Sequence, residues 1–152
     1  RRVIARQGQS FKIGQLFVMD VLAPLESFAG KRVSNPHDAN IVLKVNYGQE
    51  KVLLTGDMEK GLELQMLSER NDVDVDVLKV GHHGSKTSST QVFLERVSPE
   101  LAIIQVGKGN RYGHPYQEVL DRFKSLNISL LRTDVDGDIE LLVDANSLSV
   151  KK

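Results

Sequence analysis

The sequence predicts a mixed α/β protein, because strand-like and helix-like patterns alternate along its 152 residues. In Val73–Leu78, valine alternates with aspartate, which is typical of a half-buried strand. Met58, Leu62 and Met66 recur at four-residue intervals, which is typical of the buried face of a helix. The length is enough for a single hydrophobic core.

The N-terminal half predicts strands, a hairpin and a helix. Residues 11–24 are expected to form one or two strands, closed by a proline. After a polar connection over residues 25–38, the apolar segments Ile41–Val45 and Val52–Leu54 flank a glycine-containing turn and predict a hairpin. The methionine and leucine stripe then predicts a helix over Met58–Arg70, with that stripe in the core.

The second half predicts another helix and a buried strand. Ser89 can cap a helix that carries Val92, Phe93 and Val97 on its apolar face. The continuous apolar run Leu101–Val106 then predicts a strand that is buried on both faces.

A last helix and a hairpin are predicted at the C-terminal end. Pro115 suits the first position of a helix. The apolar face of that helix is expected to consist of Tyr116, Val119, Leu120, Phe123 and Leu126. Ile128–Arg132 and Ile139–Val143 bracket an Asp-Gly turn, so the two segments are expected to pair as a terminal hairpin.

Composition limits the function classes. The 20 basic and 20 acidic residues give zero formal net charge, so no overall basic character indicates a nucleic-acid partner. A nucleic-acid enzyme would need a local basic rim, for which the candidates are Arg96, Lys108, Arg111 and Arg132. The lack of cysteine excludes disulfides and thiolate metal ligands. No apolar run approaches the length of a transmembrane helix.

The most informative stretch is Lys79–Lys86, which reads Lys-Val-Gly-His-His-Gly-Ser-Lys. It places two imidazoles at the end of a predicted strand, between glycines that allow a tight turn and the close approach of a ligand. Two adjacent imidazoles cannot easily share one metal, so one of His82 and His83 is predicted to bind a metal and the other its bound substrate. The alternative is a solvated loop or a buried structural pair.

Asp57 follows a second predicted strand, in the sequence Thr-Gly-Asp. Open α/β sheets place ligand groups at the carboxyl ends of their strands, so Asp57 and a histidine from the next strand form a natural partial metal site. Carboxylate oxygen and imidazole nitrogen together favour zinc, manganese or iron. Asp57 can also cap the following helix, and the two roles are compatible.

His114 lies just before Pro115, at the predicted start of a helix where backbone amides favour an anion. Asn110 and Tyr112 lie within four residues of it. His114 is therefore predicted to contact a substrate phosphate or a leaving group; the alternative is a capping histidine without chemistry. His37, in a polar loop, is expected to be solvated.

Taken in order, these motifs resemble the metallo-β-lactamase-type domain of ComEC-like competence proteins and of related stand-alone metallohydrolases. The resemblance covers roughly residues 40–143. The segments that carry it are Leu53–Asp57, Leu78–Ser85, Val106–Gly107, Asn110, Tyr112–Pro115, Arg132–Asp134 and Gly137.

One departure from the family is the absence of its His-x-His-x-Asp-His motif, which supplies the first metal ligands. The segment Gly8–Gly14 is similar to the strand that enters the second half of the family's domain. The resemblance therefore implies that residues 1–152 are the C-terminal half of a single αββα sandwich, supplying its second αβ half. The N-terminal half, with the first metal motif, is then expected to be a missing partner.

The resemblance implies a metal-dependent hydrolase, a phosphodiesterase or nuclease acting on nucleic acid in DNA uptake. It implies two divalent metal ions, zinc or manganese, with Asp57 bridging them and His83 binding one. His82 would hydrogen-bond the phosphoryl oxygen, and His114 would assist there or at the leaving oxygen.

The predicted substrate-binding residues are Ser85, Asn40, Asn110 and Tyr112. Asn40 stands near the position of an Asn-x-Ser-like element of the family. Two alternatives remain. One is a phosphorylcholine esterase of the same fold, although its cationic leaving group favours an aromatic cage and the chain has no tryptophan. The other is a non-catalytic module that binds DNA or a protein partner.

Overall fold

Seven strands form one sheet in which each strand lies beside its neighbours in sequence. The computed structural model describes residues 3–69 and 71–152. The strands are β1 (Ser10–Ile13), β2 (Phe17–Ala23), β3 (Val42–Tyr47), β4 (Glu50–Leu54), β5 (Val77–Lys79), β6 (Leu101–Ile104) and β7 (Ser129–Arg132). Strands β1 to β4 pair antiparallel, and β4 to β7 pair parallel. The carboxyl ends of four adjacent strands therefore meet at one edge of the sheet.

The helices are α1 (Lys60–Ser68), α2 (Gln91–Val97), α3 (Gln117–Ser125) and the single turn α4 (Thr133–Asp136). A short 3₁₀ turn, Pro36–Ala39, precedes β3. A separate hairpin, β8 (Glu140–Val143) with β9 (Leu148–Lys151), ends the chain. No helix within the two described ranges is long and apolar enough to cross a membrane.

The hydrophobic core lies between one face of the sheet and helices α1 to α3. Leu53 of β4 and Leu78 of β5 are fully buried there. Met66, Phe93 and Phe123 pack on them, one from each of the three helices. Because every long helix contributes to this one core, the helices cover a single face of the sheet.

The opposite face of the sheet carries apolar side chains that are only partly covered; we call it the open face. Leu43 lies opposite Leu54, and Val45 lies opposite Val52, on neighbouring strands of this face. Leu54 is 37% exposed, and the other three are half-buried. Side chains of this type normally pack against a second layer, so the open face indicates a surface that favours an apolar partner.

The predicted mixed α/β class is confirmed, together with most of its N-terminal elements. Residues 11–24 contain two strands, β1 and β2, and the hairpin of β3 and β4 pairs antiparallel as expected. The helix expected over Met58–Arg70 is α1, which begins at Lys60, with Glu59 and not Asp57 at its cap position, and ends at Ser68; the predicted end at Arg70 lies outside the described residues.

The predicted terminal hairpin is wrong. Strand β7 pairs parallel with β6 and completes the main sheet, and β8 pairs instead with β9. The reason is that Ile128–Arg132 buries more apolar surface as the last strand of the large sheet than it would in an isolated hairpin. Thr133 fixes this arrangement, because its hydroxyl accepts from the Val106 amide (2.8 Å) and donates to the Val106 carbonyl (2.9 Å).

The strand expected over Val73–Leu78 is shorter than its pattern. Only Val77–Lys79 joins the sheet, although Val73 and Val75 are buried. The alternation reflects an extended segment whose valines are buried in the core before the chain joins the sheet at β5. The Asp76 carboxylate, which the pattern places outside, accepts a 2.6 Å bond from the Lys51 amide.

Two predicted helix starts are also wrong. Thr90, not Ser89, occupies the cap position of α2, and Ser89 has a left-handed backbone with φ of 54°. Helix α3 begins at Gln117, so Pro115 lies before the helix and not at its first position. Of the predicted apolar face of α2, Val92 is exposed.

Glu63 explains why Ser89 does not cap α2. This carboxylate is 1% exposed and accepts from the Ser89 amide (2.5 Å), the Thr90 amide (2.9 Å) and the Thr90 hydroxyl (2.6 Å). It therefore caps α2 from a different helix, in place of a local side chain. Burial raises the pKa of Glu63 above its ordinary value, although the hydrogen bonds from Thr90 and Ser89 oppose that shift.

Replacing Glu63 with alanine should lower the free energy of unfolding by about 3 kcal/mol, because the buried Ser89 amide and the partly buried Thr90 amide and hydroxyl lose their acceptor. Urea denaturation of the two proteins measures this difference. The control is Glu95→Ala, an exposed glutamate on α2, for which a change within about 0.5 kcal/mol is expected. Equal effects of the two substitutions would contradict the capping role of Glu63.

Candidate functional site

Polar side chains converge at the edge of the sheet where the parallel strands end. Asp57 follows β4, His82 and His83 follow β5, and His114 lies in the loop after β6. Asp57 Oδ1 lies 3.4 Å from His83 Nε2. The His82 ring centroid is 6.4 Å from that of His83 and 5.7 Å from that of His114. The residues predicted as metal ligands and catalytic groups are thus brought together.

The turn that carries the two histidines has an unusual backbone. His82 and His83 both adopt left-handed conformations, with φ of 45° and 54°. Such conformations cost of order 1–3 kcal/mol each for residues with a side chain. The turn is held by bonds from the His82 amide to the Gly56 carbonyl (3.1 Å) and from the Ser85 amide to the His82 carbonyl (2.9 Å). Two strained residues in sequence at a strand end favour a functional reason for the conformation.

Two glycines allow the loops to approach closely. A Cβ on Gly84 would lie 2.6 Å from Cβ of Pro115, and a Cβ on Gly56 would lie 2.3 Å from Oδ1 of Asn40. Both glycines also have positive φ, of 79° and 55°. The Gly84 contact brings the loops after β5 and β6 together, and the Gly56 contact lets Asn40 approach the loop after β4.

His83 has the environment of a metal ligand. Its Nδ1 lies 2.6 Å from the Gln105 carbonyl oxygen, which can only accept a hydrogen bond, so Nδ1 carries the proton. Nε2 is then the unprotonated nitrogen of the neutral ring, and it faces Asp57 Oδ1. A carbonyl that orients the far nitrogen of a ligating histidine is a common feature of metal sites. Asp57 and His83 therefore fit two ligands of a zinc or manganese ion.

Asn40 positions Asp57. Its amide nitrogen donates to the Thr55 carbonyl at 2.6 Å, and its oxygen accepts from the Asp57 amide at 2.9 Å. Both ends of the side chain are thus engaged by the turn that carries the predicted ligand. This geometry indicates a positioning role for Asn40; its predicted contact with substrate stays a prediction.

The other predicted substrate-binding residues differ in their freedom to contact a ligand. Asn110 accepts from the Tyr112 and His114 amides and donates to the His114 carbonyl, so its side chain shapes the loop. Ser85 is buried, with its hydroxyl 2.9 Å from that of Thr87. Tyr112 is 60% exposed and its ring lies nearly parallel to that of His114, with centroids 5.9 Å apart.

His114 carries a buried ring nitrogen. Its Nδ1 has no hydrogen-bond partner among the residues described. Burial lowers the pKa of His114, the neighbouring His82 and His83 lower it further, and Asp57 opposes them. A neutral imidazole with an unsatisfied buried nitrogen is suited to meet a polar ligand at this position.

A cavity of about 340 Å³ opens beside the predicted ligands. It is lined by His83, Gln105, Val106, Gly107, Asn110, Tyr112 and His114. The cavity adjoins both His83 and the exposed Tyr112 ring, so a substrate bound there reaches the predicted metal ligands.

Among the site residues missed from the sequence are two that contact His82. Glu59 Oε1 lies 3.1 Å from His82 Nδ1, and the His37 ring centroid lies 4.6 Å from that of His82. The expectation that His37 is solvated is therefore wrong. Glu59 could have been suspected, because it follows Asp57 by two residues at the same strand end. Nothing in the spacing of His37 indicates its contact with a residue far along the chain.

Lys79 adds a positive charge behind Asp57. Its ammonium donates to the Gly56 carbonyl at 3.2 Å and to the Val80 carbonyl at 3.3 Å. Burial lowers the pKa of Lys79, while the nearby charge of Asp57 opposes that shift. Lys79 and Asn40 thus both bond the turn that carries Asp57.

Three longer proteins are similar in sequence to this chain. It is 41% identical over 107 residues to ComE operon protein 3 of Bacillus subtilis, which is 70% of this chain and 14% of that protein. It is 43% identical over 100 residues to competence protein ComA of Neisseria gonorrhoeae, covering 65% of the chain and 14% of that protein. It is 35% identical over 121 residues to recombination protein 2 of Haemophilus influenzae, covering 80% of the chain and 15% of that protein.

These relatives are far longer than this chain, which spans 14–15% of their length. No protein-family model matches the chain. The names of the relatives are those of competence and recombination proteins, and they describe whole proteins of which the matched part is a small share.

Glycine should be better tolerated than alanine at position 83, because only glycine adopts a φ of 54° without strain. We expect the free energy of unfolding, measured by urea denaturation, to be about 1 kcal/mol higher for His83→Gly than for His83→Ala. Val92 of α2 supplies the control: it is exposed on a helix, where alanine should be more stable than glycine by about 1 kcal/mol. Alanine equal to or better than glycine at position 83 would contradict the strained turn.

Proposed function

We propose that this chain belongs to a metal-dependent phosphodiesterase or nuclease that acts on nucleic acid during DNA uptake. The observation that carries this proposal is the pair Asp57 and His83, with 3.4 Å between their facing ligand atoms and with His83 oriented by the Gln105 carbonyl. Carboxylate and imidazole ligands at the ends of adjacent parallel strands suit a hydrolytic metal centre.

The names of the relatives support the biological context. Similarity to competence and recombination proteins over 65–80% of the chain favours a role in handling incoming DNA. The activity of the whole protein is a proposal, since the matched region is a small share of each relative.

The proposed fold is a metallo-β-lactamase-type αββα sandwich in which this chain supplies the second αβ half. The open face of the sheet supports that fold, because a second αβ half would cover Leu43, Val45, Val52 and Leu54. That half would also bring the remaining metal ligands, since Asp57 and His83 are fewer than the three or four protein ligands of a zinc site.

Bound zinc or manganese ions would supply Lewis acidity and an activated water at this edge of the sheet. Asp57 would hold two ions through its two oxygens, and His83 would hold one through Nε2. His82 would hydrogen-bond the phosphoryl oxygen as negative charge develops there. His114, at the wall of the cavity, would contact the phosphoryl or the leaving oxygen.

Nucleic acid is the proposed substrate, recognised by local features. The exposed Tyr112 ring can stack on a base, and the Arg111 guanidinium lies 4.9 Å from its centroid. Arg132 is a poor candidate for the basic rim, because Asp134 engages its guanidinium at 2.6 and 3.0 Å. The phosphorylcholine esterase alternative keeps one supporting observation, since Tyr112 and Tyr116 both flank His114.

Substitutions in the whole protein that carries this chain test the proposal. Asp57→Asn should remove most activity and one metal, because an amide cannot supply two anionic oxygens. His83→Ala should lower both metal content and turnover, and His82→Ala should lower kcat about 100-fold while metal is retained. Elemental analysis measures the metal. Hydrolysis of DNA oligonucleotides and of an aryl phosphorylcholine, with zinc or manganese added, measures activity and separates the two esterase readings.

The control is Asp121→Asn, an exposed aspartate of α3, which should change neither quantity. If His82→Ala loses metal while His83→Ala keeps it, the roles of the two histidines are reversed. A whole protein that binds no zinc or manganese and hydrolyses neither substrate would instead support the non-catalytic DNA- or partner-binding module.

The open face should make this chain self-associate when it is produced alone, because exposed apolar surface of this kind drives association. Sedimentation should show oligomers that Leu54→Glu shifts toward monomer. The matched control is Leu64→Glu, an exposed leucine on α1, which should leave the distribution unchanged. A monomeric chain with a cooperative melt and no dye-accessible apolar surface would contradict the sandwich.

A further inference from the structure

Glu59 occupies the cap position of α1 but makes no capping hydrogen bond with its side chain. Its carboxylate instead points across the site, where Oε1 accepts from the Thr87 hydroxyl at 2.8 Å and lies 3.1 Å from His82 Nδ1. A side chain that leaves an ordinary local partner for two distant ones indicates a role at His82.

The hydroxyl segment after the histidine turn holds this carboxylate in place. The Thr87 hydroxyl lies 2.9 Å from the Ser85 hydroxyl, and the Thr87 carbonyl accepts from the Lys60 amide at 2.8 Å. The start of α1 and the Ser/Thr segment are therefore joined by two contacts, one through the Glu59 carboxylate and one through the Lys60 amide. The buried Ser85 hydroxyl thereby supports the residue that holds Glu59, and its predicted contact with substrate stays a prediction.

We propose that Glu59 is a positioning residue that selects the tautomer and the ring orientation of His82. An ionised carboxylate only accepts hydrogen bonds, so the contact requires the proton on Nδ1. Nε2 is then the nitrogen left to meet the substrate, as an acceptor in the neutral ring and as a donor in the doubly protonated ring. The proposal rests on the proposed function, in which His82 faces the phosphoryl group.

A metal site is the competing interpretation of the same residues. Potential ligand atoms of His37, Glu59 and His82 lie within 4.8 Å of one another. The positioning role is favoured because Glu59 Oε1 already accepts a hydrogen bond from the Thr87 hydroxyl, and Thr87 is not one of the three potential ligand residues. The His37 and His82 rings also lie against each other, with centroids 4.6 Å apart and planes tilted by 33°, whereas imidazole lone pairs lie in the ring planes.

The tautomer can be measured without activity or metal. Nitrogen-15 chemical shifts of the imidazoles are recorded for the metal-free chain at alkaline pH, where histidine is neutral. The Leu54→Glu background is used where association broadens the spectra. We expect His82 in the Nδ1–H form in the parent chain. Glu59→Ala should shift it toward the Nε2–H form, and Glu59→Gln, which keeps an acceptor oxygen, should shift it less.

Kinetics of the whole protein supply the second measurement. Glu59→Ala should lower kcat about 10–100-fold, with KM and bound metal unchanged, as for other partners that orient a functional histidine. Glu59→Gln should restore part of that loss. Glu69→Ala, an exposed glutamate just after α1, is the control and should leave kcat and the His82 shifts unchanged.

The outcomes separate this proposal from the proposed function. An unchanged His82 tautomer in Glu59→Ala overturns the positioning role, whatever the activity. Loss of bound metal in both Glu59→Ala and His37→Ala also overturns it, because Glu59 is then a ligand. A whole protein without hydrolytic activity defeats the proposed function, while a tautomer shift in the chain still supports the contact between Glu59 and His82.

Discussion

The site depends on how closely the loops at the ends of β4, β5 and β6 approach one another. A main-chain bond from the His82 amide to the Gly56 carbonyl joins the first two loops, and the contact of Gly84 with Pro115 joins the second to the third. Glycine at position 84 removes a side chain that would separate these last two loops. Asp57, His82, His83 and His114 are neighbours only because the backbones meet first.

Charge is distributed around this edge in layers. Asp57 and Glu59 bring carboxylates to His83 and His82 respectively, while the Lys79 ammonium lies behind Asp57 and binds carbonyls of both strand ends. Each carboxylate faces one imidazole, so the adjacent histidines are given different environments. That difference is the physical basis for assigning them different roles, which adjacency in sequence alone does not provide.

Local patterns were enough to place Asp57 and the two histidines, because a strand followed by glycine and a polar residue brings its chemistry to a predictable sheet edge. The contact of His37 with His82 was not predictable, since it joins distant segments through tertiary packing. The cap of α2 failed as a prediction for the same reason, because Glu63 reaches it from another helix. The predicted pairing of the C-terminal strands was wrong because sequence patterns identify strand segments but not their pairing partners.

The 3₁₀ turn at Pro36–Ala39 and the residue that follows it contact two parts of the site, the Asp57 turn and the His82 ring. Asn40 bonds the Asp57 turn, and three residues earlier His37 packs on the His82 ring. A rigid displacement of this short segment would therefore move the Asp57 carboxylate and the His82 imidazole together. The connection before β3 thus fixes the Asp57 turn and the His82 ring relative to each other, although it contributes no predicted metal ligand.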